Sequence, residues 1–176
     1  MKTRAIPPNI SIQSDPAHPD QIEIQFQSIE SHTLSGRLDN YDIQEAVSFA
    51  LMWAPKDNIR LAALNQIASA PNSQPFENAL LFSAENDHNP GVRLKAIQLL
   101  NTLPVSDGIK QMLIRTFLNE KQPGIRIEAA NGLSRIADAS TLPLIKQKSE
   151  DDKYAQYLLT RASAQTENKI IDKSES

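Results

Sequence analysis

The pattern of hydrophobic and polar positions repeats along the chain from about residue 40 to residue 165, and it is typical of amphipathic helices. The repeat is 33 residues long and is most regular where an apolar residue is followed by Arg, with Ala three residues after the Arg. Its copies begin at Asn58, Gly91 and Gly124. A fixed period of about 20–50 residues is the signature of an array in which each unit packs on its neighbours.

Each repeat predicts two helices joined by turns, which we call A and B. We expect A helices at 42–53, 74–86, 106–119 and 140–149, and B helices at 57–69, 90–103, 123–137 and 152–165. Asn89 followed by Pro90 supports these boundaries, because Asn is a favoured N-cap and Pro is tolerated at the first helical position. The fourth pair has Ala155 where the others have Arg, as expected for a terminal unit that caps a stack.

The N-terminal part of the chain predicts β-structure instead. Apolar and polar residues alternate over 21–29, which is the period of a strand with one buried face. A second strand at 33–38 completes a predicted hairpin over 21–38, and its apolar face must cover the helices because a lone hairpin is marginally stable. Residues 1–20 contain four prolines and predict an extended or disordered leader, whereas the polar residues 166–176 predict a flexible tail.

Two segments resemble a known family. Residues 89–96 and 122–129 both consist of an amide residue, Pro, Gly, an apolar residue and Arg, with Ala three positions after the Arg. This pattern resembles the bacterial type of HEAT repeat. The resemblance implies an all-α fold: an α-solenoid of about four HEAT-like helix pairs with a small N-terminal β-hairpin, forming one domain over 21–165. Such solenoids serve many roles, so the resemblance alone indicates no activity.

A narrower resemblance involves the strand segment that ends in Gly36-Arg37-Leu38 and precedes the helical repeats. This order resembles the C-terminal region of bacterial anti-sigma-type membrane proteins, which carry an N-terminal zinc-binding module and a transmembrane helix. It implies a part in an envelope-sensing or regulatory system. The chain has no cysteine and no apolar run of membrane-spanning length, so sigma-factor binding cannot be assigned to any of its residues.

Composition and charge narrow the possible functions. The chain has 18 basic and 21 acidic residues, a net charge of −3, which disfavours nucleic-acid binding because that requires a basic surface. The lack of cysteine excludes disulfides, thiolate metal sites and cysteine nucleophiles. The chain also lacks the apolar stretches of a signal peptide or a membrane span. We therefore expect no membrane insertion, and a cytoplasmic location unless the chain is the detached part of a membrane protein.

The sequence predicts no catalytic constellation. His18, His32 and His88 share no spacing suited to metal ligation, and there is no glycine-rich phosphate-binding loop. We expect a non-enzymatic protein with no cofactor and no metal. Two alternatives stay open: a HEAT-like enzyme of the DNA glycosylase or bilin lyase type, and self-association through the edge of the β-hairpin. The oligomeric state is open as well.

Three arginines, Arg60, Arg93 and Arg126, occupy the same position of successive B helices. They would suit either an anion-binding ladder or a structural one. We favour the structural ladder, because Arg is the side chain best suited to partly buried bidentate pairs with carboxylates. Asp87 and Glu120, each six residues before an arginine, are the expected partners.

The polar face of the B helices is the predicted partner-binding surface. One position that points away from the buried stripe is an amide in three successive helices: Asn65, Gln98 and Asn131. Amides both donate hydrogen bonds to a peptide backbone and accept them from it, and in HEAT-like stacks this face is concave. The full predicted site is Asn65, Lys95, Gln98, Glu128, Asn131 and Arg135. These residues predict a protein-interaction or scaffold module that binds a protein or peptide partner on its concave face.

Overall fold

A computed structural model describes residues 9–15, 17–27 and 31–136, together with the single positions 143, 156 and 160. The protein is mostly helical and carries a small three-stranded antiparallel sheet. The chain divides into two compact units, Met1–Leu103 and Pro104–Ser176.

Six α-helices follow the sheet in the described part of the chain, in the predicted order of A and B helices. They are α1 Tyr41–Trp53, α2 Asp57–Ser69, α3 Glu77–Asn86, α4 Pro90–Leu100, α5 Asp107–Asn119 and α6 Pro123–Arg135. Two boundaries differ from the prediction by three residues, and the others agree to within two residues. A 3₁₀ turn at Gln74–Phe76 precedes α3, and α4 ends at Leu100 because the chain turns before Pro104, which disfavours helical conformation in the residue preceding it. The predicted fourth pair, apart from positions 143, 156 and 160, and the predicted tail lie outside the described residues.

The sheet corrects the prediction of a hairpin. Its strands are β1 Asn9–Asp15, β2 His18–Gln27 and β3 Ser31–Arg37, paired antiparallel in the order β1-β2-β3. Residues 9–15, expected in the leader, therefore form an edge strand. Ile10 and Ile12 alternate with polar residues there, but the prolines on either side of this short segment obscure the strand pattern.

The sheet lies against the first helix pair. β1 contacts α2 and β3 contacts α1, and the side chains of Ile22 and Ile24 in β2 are buried. Gly36 in β3 is paired with Ile22, and a Cβ atom at Gly36 would lie 3.1 Å from Cγ1 of Ile43 in α1. The strand can approach α1 this closely because residue 36 has no side chain.

Within the first unit, each A helix packs on its own B helix, and helices of the same type are neighbours. α1 contacts α2 and α3, and α4 contacts α2 and α3. Ala63 of α2 and Ala96 of α4 hold equivalent repeat positions and are fully buried, so small side chains stand in the interior of both B helices. The largest fully buried helical side chains of this unit include Ile43, Leu51, Leu64, Ile67, Leu80, Ile97 and Leu100.

In the second unit, α5 packs on α6. Ile109, Met112 and Phe117 of α5 are buried, as are Ile125 and Leu133 of α6. The spacings within each helix are those of one apolar stripe on an amphipathic helix.

Candidate functional site

Each arginine of the repeated position reaches back to the end of the preceding A helix. The three hydrogen bonds are Arg60 Nη1 to Ala54 O (2.8 Å), Arg93 Nη1 to Asp87 O (2.9 Å) and Arg126 Nη1 to Glu120 O (3.3 Å). The acceptors are the C-cap residues of α1, α3 and α5. A cation at this position satisfies a carbonyl at the helix terminus and interacts favourably with the negative end of the helix dipole.

Arg60 also joins the first helix pair to the second. Its Nε donates to Asp87 Oδ2 (2.6 Å) and its Nη2 to Asp87 Oδ1 (2.9 Å), a bidentate pair in which both side chains are about 95% buried. This hydrogen bonding raises the pKa of Arg60. Because α2 carries the arginine and the C-cap of α3 carries the carboxylate, the pair fixes one helix pair against the next.

Asp57, in the first turn of α2, extends the same network. Its Oδ1 accepts a hydrogen bond from Arg60 Nη2 (2.7 Å) and lies 3.0 Å from Nε2 of the exposed His88. Its Oδ2 accepts a hydrogen bond from Asn89 Nδ2 (2.6 Å). The hydrogen bond from Asn89 and the charge of Arg60 together hold the pKa of Asp57 below its ordinary value.

Asn89 has two roles at this junction. Its side chain bonds Asp57, and its Oδ1 also caps α4 by accepting hydrogen bonds from the backbone N–H groups of Gly91 (2.8 Å) and Val92 (3.3 Å). The backbone N–H of Asn89 donates to Asp87 Oδ1 (2.8 Å). The turn between α3 and α4 is therefore tied to the start of α2 by side chains that also satisfy helix termini.

The polar face of the B helices is built, in the first unit, from α2 and α4 lying side by side. Asn65 of α2 and Gln98 of α4 are exposed, and Lys95 is half-buried. Lys95 Nζ donates a hydrogen bond to Asn65 Oδ1. The structure thus brings three residues of the predicted site together on adjacent helices.

The other three residues of the predicted site lie on α6 of the second unit. Glu128 and Asn131 are half-buried and Arg135 is exposed. The backbone carbonyl of Asn131 accepts a hydrogen bond from Ser134 Oγ (2.8 Å). On α6 these residues occupy the repeat positions that Lys95, Gln98 and Thr102 occupy in the preceding repeat.

Sequence reasoning missed Asp57 and the bond that Asn89 makes to it. The available signal was the spacing Asp57–Arg60, three residues apart within one helix, which favours an ion pair. The aromatic pair Trp53–Phe82 was missed as well, with ring centroids 4.9 Å apart on α1 and α3. The 33-residue repeat does not reveal this pair, because Phe82 and Trp53 are not at equivalent repeat positions.

Comparison with known proteins adds no relative: no family model, curated protein or solved structure matches the chain. Among the described residues, no group of three or more potential ligand side chains is arranged to hold a metal ion. In the same part of the chain, no helix is both long enough and apolar enough to cross a membrane.

Proposed function

We propose that the protein is a non-enzymatic interaction module, a HEAT-like α-solenoid that binds an extended protein or peptide segment along the concave face of its B helices. The observation that supports this proposal best is the arrangement on α2 and α4. Two exposed amides, Asn65 and Gln98, stand on adjacent helices with Lys95 bonded to Asn65.

The chemistry of these side chains suits a peptide backbone. An amide offers both donors and an acceptor, as a backbone does, so Asn65 and Gln98 can pair with N–H and C=O groups of an extended segment. Lys95 adds a cation that can meet a carbonyl or carboxylate of the partner. The side chains stand on rigid helices, so little conformational entropy of the backbone is lost on binding.

On α6, the repeat places Glu128, Asn131 and Arg135 at equivalent positions, and we propose that they contribute to the same binding function. We also propose a bacterial envelope-sensing or regulatory system as the setting, which rests on the resemblance of the strand segment and the repeats alone.

The test uses peptides selected from a random 12-residue display library against the full chain. We expect a triple variant, Asn65→Ala, Gln98→Ala and Asn131→Ala, to bind them much more weakly. Each lost hydrogen bond is worth about 0.5–1.5 kcal/mol, or about a 2- to 12-fold loss of affinity. Isothermal titration calorimetry measures the affinity, and circular dichroism checks that the variant is folded.

A matched control replaces two exposed amides on an A helix, Asn78→Ala and Asn86→Ala in α3. These substitutions should leave the affinity for the selected peptides unchanged. If the triple variant binds as tightly as the wild type, or if only the α3 variant loses affinity, the B helices are not the binding face and the proposal is wrong.

A further inference from the structure

The solvent side of the A helices in the first unit carries a group of aromatic residues. Phe49 and Trp53 are four residues apart on α1, Tyr41 lies eight residues before Phe49, and Phe82 lies beside Trp53 on α3. Tyr41 is 69% exposed and Trp53 is 45% exposed, while Phe49 and Phe82 are half-buried. We call these four residues the aromatic surface. They are four of the nine aromatic residues in the whole chain.

Exposure of this kind is unusual for side chains of this size. Trp and Tyr bury large areas at protein interfaces and are the commonest residues whose removal weakens binding. The tilted stacking of Trp53 on Phe82, with an interplanar angle of 49°, holds the indole in place without covering it. A Trp positioned in this way is ready to contact a partner with little loss of side-chain entropy.

The charged side chains of α1 and α3, the helices that carry the aromatic surface, are all acidic. α1 contains Asp42 and Glu45 and no Lys or Arg, and α3 contains Glu77 and Glu85 and no Lys or Arg. Glu45 accepts a hydrogen bond from the Tyr41 hydroxyl (3.3 Å). By contrast, the B helix α4 carries two cationic side chains and no carboxylate. The charge of α1 and α3 is therefore opposite in sign to that of α4, whereas α2 carries one Asp and one Arg.

We infer that the aromatic surface binds a cationic segment of a partner protein, one that carries Arg or Lys beside apolar residues. A guanidinium or ammonium group stacks favourably on the face of Trp53, and neighbouring carboxylates such as Glu45 and Glu85 add attraction. The acidic surroundings disfavour nucleic acids and anionic membranes. They also disfavour a second copy that docks through the same face, because a symmetric contact would bring carboxylates against carboxylates.

The direct test measures binding of a fluorescein-labelled 12-residue peptide that alternates Arg and Leu to the full chain by fluorescence anisotropy. A peptide that alternates Glu and Leu is the control for apolar binding alone. We expect binding of the Arg peptide only, weakened by added salt because the attraction is electrostatic. Trp53→Ala should weaken it about tenfold or more, as expected for an interface hot spot. The double variant Glu45→Gln and Glu85→Gln should weaken binding and reduce its salt dependence.

Variants on the B helices separate this proposal from the binding function described above. Asn65→Ala with Gln98→Ala should leave the affinity for the Arg peptide unchanged. Three results would each overturn the inference. They are equal affinity of the wild type and Trp53→Ala for the Arg peptide, equal affinity of the wild type for the two peptides, and a Kd for the Arg peptide weaker than about 1 mM. A concentration-dependent dimer in sedimentation velocity that Trp53→Ala abolishes would also overturn it, because a second copy would then be the occupant.

Discussion

Arg60 carries a full charge in a position that is almost closed to solvent, so its surroundings must compensate for lost hydration. Asp87 supplies an equally buried carboxylate in bidentate geometry, and Ala54 O and Asp57 accept the remaining bonds. A buried pair of this type adds modest net stability compared with apolar packing, but removing one partner leaves an uncompensated charge. We therefore expect the pair to act mainly by fixing how the two helix pairs fit together.

We expect Arg60→Met to lower the free energy of unfolding by about 3–5 kcal/mol, because the buried carboxylate of Asp87 loses its counter-charge. Adding Asp87→Asn should restore part of the loss, so the double variant costs at least about 1 kcal/mol less than the sum of the two single variants. Urea unfolding of the wild type, the two single variants and the double variant measures this coupling.

The control is Arg115→Met, at an exposed arginine of α5, which should change the free energy of unfolding by less than about 0.5 kcal/mol. Strictly additive losses would show that the pair is not coupled.

The lowered pKa of Asp57 predicts a pH dependence of stability. The folded state lowers this pKa below its ordinary value of 3.8, so the charged carboxylate stabilises the fold at higher pH and this contribution is lost as the pH falls through the folded pKa. The stability difference between the wild type and Asp57→Asn should therefore be largest above about pH 4 and shrink below it. Urea unfolding from pH 2.5 to 7 measures the difference.

Asp42→Asn is the matched control for this pH dependence, because Asp42 also lies in the first turn of its helix. Both carboxylates interact with a helix N-terminus, but only Asp57 is bonded by Arg60 and Asn89. The control should show a smaller difference over the same pH range. If the two variants behave alike, the helix dipole alone explains the effect and the network contributes nothing.

At the scale of helices, the turns between A and B helices differ in how well they are capped. Asn89 caps α4 through its side chain, whereas Gln122 at the equivalent position makes no side-chain cap to α6. The two sequences that follow are otherwise alike: Pro, Gly, an apolar residue and Arg. Since the longer Gln side chain is not a favoured N-cap, the third repeat lacks a stabilising bond that the second has.

Exchanging these two caps should change stability in opposite directions. Gln122→Asn should raise the free energy of unfolding by about 0.5–1.5 kcal/mol, because Asn can accept bonds from the first N–H groups of α6. Asn89→Gln should lower it, with the loss of its bond to Asp57 adding to the effect. Chemical denaturation monitored by circular dichroism measures both. Gln111→Asn, at an exposed site inside α5, tests whether Asn is favourable in general and should give no gain.

The helices were predictable from the sequence because their signal is periodic and repeated. The predicted starts of α2, α4 and α6 agree with the structure, since each copy of the motif marks a first helical turn. β1 was not predicted, because a seven-residue strand gains its stability from pairing with β2 and packing on α2, which local sequence does not display. The Arg60–Asp87 pair was expected as a chemical type, but the contribution of Asp57 depends on a turn that folds back from another repeat.

At the scale of the whole molecule, the first unit contains the elements of a self-sufficient domain. The sheet covers α1 and α2, the four helices share a buried core, and the Arg60 network ties the helix pairs together. The only tryptophan of the chain, Trp53, belongs to this unit. Its fluorescence therefore reports the first unit alone, while far-ultraviolet circular dichroism reports helices throughout the chain.

We expect a fragment of residues 1–103 to fold by itself and to unfold cooperatively, because its core and its buried ion pair lie within the fragment. Urea unfolding followed by Trp53 fluorescence should give one transition with an m-value of about 1–3 kcal/mol/M, the range of small cooperative domains.

A shorter fragment of residues 39–103 lacks the sheet and uncovers the faces of α1 and α2 that contact it. The midpoint of its urea unfolding should therefore be lower than that of the 1–103 fragment. A gradual, non-cooperative transition of the 1–103 fragment would show that the first unit depends on the rest of the chain for its fold. An unchanged midpoint on removal of the sheet would show instead that the strands add no stability to the helices.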